Sequence, residues 1–87
     1  MKRDMILVKK ILECAIANYK GNDHFEITID SYEPGTLFHY VCMLCDAGFL
    51  KGKPVVSGGS HDYSHRILYI TWQGYELLES LESGPNS

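Results

Sequence analysis

The chain has no surplus of positive charge: eight Lys plus Arg stand against eleven Asp plus Glu, for a formal net charge of −3. Free-standing DNA-binding modules usually carry a clear positive excess, so whole-chain charge speaks against the simplest nucleic-acid reading and shifts the question to local distribution. Long apolar runs are missing too. In the opening MKRDMILVKKILECAIA, Asp4, Lys9 and Lys10 confine the first apolar stretch to Met5–Val8. That is too short for a secretory h-region, and nothing approaches the ~20 apolar residues of a membrane span. Cysteine is sparse and odd in number, at three. Without an export signal this points to free thiols in a reducing compartment, so a cytoplasmic protein with no membrane association is expected.

The marks of an enzyme are absent as well. Ser60, His61 and Asp62 are triad residue types, but consecutive residues cannot converge on one substrate atom. Gly58-Gly59 lacks the Lys-Ser/Thr and the following helix of a phosphate loop, and no paired carboxylates stand in an evident pocket. His39, Cys42 and Cys45 form an H-x2-C-x2-C string that invites a zinc proposal. On a helix, however, each is turned about 60° from the next, and no fourth ligand is at hand. The expectation is no catalysis, no cofactor, no metal and no small-molecule substrate.

What is present is enough for one small core. Surface scaling gives a folded area near 5,200 Å² against about 14,000 Å² for the open chain, which suits a single marginally stable domain. Met5, Val8, Ile11, Leu12, Ala15, Ile16 and Tyr19 recur at spacings of three and four. They predict an amphipathic helix over 2–19 with Lys2, Arg3, Lys9 and Lys10 on the opposite face. From His24 to Asp30 the residues alternate, with Phe25, Ile27 and Ile29 on one side, as in a half-buried strand. Pro34 opens a second helix, which Ala47-Gly48 ends. Lys51–Val56 and His65–Thr71 flank Ser57-Gly58-Gly59-Ser60 as a hairpin with a flexible tip. Thr71 is a good N-cap for a last helix running to about Leu81. A domain over 1–82 and a flexible tail over 83–87 follow. The order helix, strand, helix, hairpin, helix is an α+β layer solution of winged-helix-like layout. The core is expected to hold Phe25, Ile27, Leu37, Val41, Leu44, Leu68 and Ile70 around Met5, Val8 and Leu12.

Three segments carry a family resemblance: the opening MKRDM, the central LCDAGFL and the closing ILYITWQGYELLESL. Together they resemble an uncharacterised bacterial and prophage-associated family whose members start with an MKRDM-like segment and end with a Leu-Thr-Trp-x-Gly-like one. The order of elements is also similar to that of the YjcQ-like winged-helix proteins. The resemblance implies a winged-helix architecture, with the hairpin as wing and the second helix as the element presented to DNA, and hence a DNA-binding or transcription-associated role.

Two places are candidate interfaces. The second helix turns Thr36, His39 and Met43 away from its apolar stripe, with Tyr40 at the edge. His, Thr and Tyr can bond to bases or phosphates, whereas exposed Met and Tyr suit a protein partner; a plain solvated face is the third reading. The helix holds no Lys or Arg. The hairpin gathers Lys51, Lys53, His61, His65 and Arg66. These are candidate phosphate contacts, or else charges that guard a sheet edge. The expected partner is duplex DNA, held weakly by Lys51, Lys53 and Arg66. The alternative is an adaptor that binds a protein partner, or itself as a homodimer, on a winged scaffold.

Overall fold

The computed structural model describes residues 4–21, 23–56 and 63–83. Three helices and a two-stranded antiparallel hairpin follow in the order α1 (Met5–Ala17), α2 (Pro34–Asp46), β1 (Leu50–Val56), β2 (Tyr63–Ile70), α3 (Trp72–Ser83). The fold is α+β, and its layout is compatible with a winged-helix-like domain. The hairpin tip, His61, Asp62, Lys2, Arg3 and residues 84–87 lie outside the described residues; Ser83 is the last residue of α3.

The start of α1 is set by Asp4, whose carboxylate accepts the amide N–H of Leu7 at 3.1 Å and so caps an otherwise unpaired donor. The apolar stripe of α1 is fully buried at Leu7, Ile11, Leu12 and Ala15. Leu7 joins the core, whereas Ile16, in the last turn of α1, and Tyr19, beyond its end at Ala17, are exposed. α1 and α2 cover the hairpin and α3 packs on α1.

The end of α2 is a tight glycine cap. Gly48 adopts φ +89°, its amide bonds the Cys45 carbonyl at 3.1 Å, and the Phe49 amide reaches back to Leu44 at 2.9 Å. The same turn receives the start of α3. The Thr71 amide donates to the Phe49 carbonyl at 3.1 Å, and the Thr71 hydroxyl donates to the Gly48 carbonyl at 2.5 Å. That hydroxyl also accepts the Gly74 amide as the N-cap of α3. A Cβ at Gly74 would stand 2.2 Å from the Phe49 carbonyl oxygen, so this close approach requires glycine.

Two expected features are corrected. The segment His24–Asp30 is not a full strand: Phe25 exchanges both backbone bonds with Ile67, at 2.8 and 2.9 Å, and that bridge stands alone. Phe25 and Ile27 are nevertheless buried, as the alternation requires. The next ladder pair in that register would be Ile27 with the backbone of His65. Instead the Ile27 amide donates to the His65 imidazole Nε2 at 2.8 Å. The second correction is on β2. Pairing steps from Lys51↔Tyr69 to Gly52↔Ile67, which leaves Leu68 as the extra residue of a bulge. The bulge shifts the pleat by one residue, so Ile67 and Ile70 both point inward while Leu68 is 41% exposed.

Candidate functional site

The inner positions of the hairpin are Leu50, His65, Ile67 and Ile70, all buried. The opposite positions face away from that buried row. On β1 these are Lys51 and Lys53; on β2 they are Arg66, paired across from Lys53, and Tyr69, paired across from Lys51. The bulge adds Leu68 to this outer face. Lys51, Lys53, Arg66 and Leu68 line one open depression of about 360 Å³, together with His24 and Gly52. Gly52 is needed there, because a Cβ would lie 2.3 Å from the Arg66 carbonyl oxygen. Among the described residues the one ion pair is His24 with Asp23, at 3.4 Å. Lys51, Lys53 and Arg66 are exposed, and none is ion-paired with another described residue.

His65, grouped with these cations by sequence, is not one of them. It is 3% exposed and turned inward. Burial holds its pKa below the ordinary value, against the opposing effects of its bond to Ile27 and the charge of Glu26.

The α2 face is only partly as expected. His39 is exposed and Met43 half-buried, and both line a second depression of about 490 Å³ with Cys42, Cys45 and Asp46. Thr36 is exposed but stands a turn or more away and does not line it. Tyr40 is not on this face: it is 8% exposed, and its hydroxyl accepts the Asp4 amide at 2.8 Å. The residue that periodicity put at the edge is drawn in because its oxygen satisfies a backbone donor at the start of α1. On its other side Met43 borders an apolar groove of about 300 Å³ lined by Met5, Val8, Phe49 and Leu77.

All three cysteines are free thiols. Burial, with the neighbouring Cys42 adding to it, pushes the Cys45 thiol up to about 11, and burial alone raises Cys42. Thiols held protonated are poor nucleophiles and poor metal ligands. Among the described residues, no three His, Cys, Asp or Glu side chains converge as a metal site.

One surface cluster escaped the sequence reading. Tyr19 at the end of α1, Tyr69 on β2 and Tyr75 on α3 meet around a depression of about 310 Å³, together with Ile16 and Ile70. The three residues are 56%, 44% and 45% exposed, although Tyr19 continues the apolar spacing of α1 just past its end and Tyr75 sits at an apolar position in the first turn of α3. Their position at the helix ends is the signal that was available, since a side chain there overhangs the core instead of entering it.

No curated protein and no solved structure matches the chain. Among the described residues, no helix is long and apolar enough to cross a membrane. A family model does match: that of the hypothetical proteins called DUF2513 covers residues 2–85, nearly the full length, and takes in LCDAGFL, ILYITWQGYELLESL and all but the first residue of MKRDM. The chain belongs to the DUF2513 family.

Proposed function

We propose that the protein is a small nucleic-acid-binding module of the cytoplasm that acts by binding rather than catalysis, on a scaffold related in layout to the YjcQ-like winged-helix proteins of bacteria and their prophages. The observation that carries this reading is the outer face of the hairpin. Lys51, Lys53 and Arg66 come from two strands to one depression, and no acid lies within ion-pair distance among the described residues. A transcription-associated role is the natural setting for such a module. Three phosphate contacts imply a log–log salt slope of about −2.7, and hence weak binding at physiological salt.

The test is a titration of labelled duplex DNA at low and high salt, with the parent and with a K51E/K53E/R66E variant. The reading expects salt-sensitive binding by the parent and its loss in the folded variant. Equal binding by both would remove the hairpin from the interface.

The second reading is a protein adaptor, favoured by one specific observation. Met43 lies between a depression that reaches His39 and the apolar groove at Met5, Phe49 and Leu77, on a helix without a single cation. Absence of any nucleic-acid binding at low salt would make this the leading account.

A further inference from the structure

The cationic depression and the tyrosine cluster are joined at one point. Lys51 borders the first, Tyr69 borders the second, and the two are cross-strand partners. Directly opposed residues of an antiparallel pair hold their Cβ atoms about 5 Å apart. The Leu68 bulge makes this junction possible, because it turns Tyr69 outward while Ile70 and Ile67 both stay in the core. Through this pair the cations Arg66, Lys53 and Lys51 of the hairpin adjoin the cluster of Tyr69, Tyr19 and Tyr75.

We propose that this face binds a nucleic-acid strand with unpaired bases, its phosphates on Lys51, Lys53 and Arg66 and its bases stacked on Tyr69, Tyr19 and Tyr75. The inference rests on the reading of the hairpin as a phosphate contact and names the ligand class of that same site. Cations that track a backbone beside aromatic rings that receive bases are the two components of single-strand recognition. Lys51 and Lys53, two residues apart on β1, are separated by about 7 Å along the strand, which matches the reach between neighbouring phosphates of an extended strand. A duplex fits less well. Its bases are stacked inside the helix and offer nothing to the tyrosines, and α2, the element that would enter a major groove, supplies no cation. Tyrosine also stacks without regard to base identity, so the binding is expected to be tolerant of sequence.

The experiment is fluorescence anisotropy with the full chain at low salt and four labelled probes of about 12 nucleotides: single-stranded DNA, single-stranded RNA, the corresponding duplex, and an abasic strand that keeps the phosphates alone. The proposal expects both base-bearing single strands to bind at least about tenfold tighter than the duplex or the abasic strand. The DNA and RNA arms identify which is preferred. Replacing Tyr19 and Tyr69 together by Leu should remove that advantage, whereas Phe at both positions, which keeps the rings, should retain it. If the duplex and the abasic strand bind as well as the base-bearing strands, stacking is overturned while the phosphate reading stands. If no probe binds even at low salt, both fall, and the tyrosines become a protein-binding patch.

Discussion

The imidazole of His65 stands in for a strand. Its Nε2 accepts the Ile27 amide at 2.8 Å, across 38 residues of sequence, where a third β-strand would have offered a backbone carbonyl. The same Nε2 lies 3.1 Å from the Ile27 carbonyl oxygen, and Nδ1 is buried without a hydrogen-bond partner among the described residues. Burial disfavours the charged form of this imidazole.

Stability should therefore fall on acidification. The folded protein holds the imidazole below its ordinary pKa of 6.5, so near and below that pH the unfolded chain takes up the proton first. The contribution of His65 is complete above pH 6.5 and is lost as the pH falls toward the lower pKa of the folded state. Urea midpoints measured between about pH 5 and 8 check this. A His65→Phe variant should flatten that part of the profile and cost about 1–3 kcal/mol, because it strands the Ile27 amide. A parent protein that gains stability on acidification would contradict the assignment.

Gly74→Ala should destabilise. In an ordinary helix position the change gains about 1 kcal/mol. Here the new methyl would meet the Phe49 carbonyl oxygen at 2.2 Å and Ile70 Cγ1 at 2.5 Å. A net loss of about 1–3 kcal/mol in chemical denaturation is expected. An increase in stability would show that α3 does not approach this closely.

The bulge gives adjacent residues opposite fates. Ile67→Ala, at a fully buried position, should cost about 2–5 kcal/mol, as should Leu44→Ala on α2. Leu68→Ala should cost less than about 1 kcal/mol, because its side chain is already largely in solvent. Equilibrium unfolding of the three variants decides the phase of β2.

Tyr40→Phe should cost about 1 kcal/mol by leaving the Asp4 amide without its acceptor. It should leave nucleic-acid affinity unchanged, since the hydroxyl points into the fold. Parallel denaturation and anisotropy measurements separate the two effects.

Much of this architecture could be read from the residues alone. Helix periodicity located α1 and α2, Pro34 and Gly48 marked both ends of α2, and Thr71 was recognisable as a cap. What failed did so for identifiable reasons. Strict alternation on β2 carried Leu68 inward, because a bulge leaves no trace in a hydrophobic pattern. The alternation of 24–30 gave the right buried residues but the wrong hydrogen bonds, since no pattern shows a side chain replacing a backbone partner. Of the site, the cations Lys51, Lys53 and Arg66 were legible as charges gathered along the hairpin, but the alternation that carried Leu68 inward takes Arg66 with it, and only the bulge puts Arg66 on the outer face. The tyrosines come from three separate elements and meet only after folding.

The contact between Gly48-Phe49 and Thr71-Gly74 has a consequence for how such chains can diversify. The polypeptide leaves the helical layer at Phe49 and re-enters it at Thr71, with the two residues bonded to each other at 3.1 Å. Everything between is an excursion whose endpoints are already fastened. Glycine and threonine at the junction answer to each other, and the buried residues of the hairpin, Leu50, His65, Ile67 and Ile70, stay with them. A graft with a different outer surface, set between these two anchors, would inherit a ready-made support.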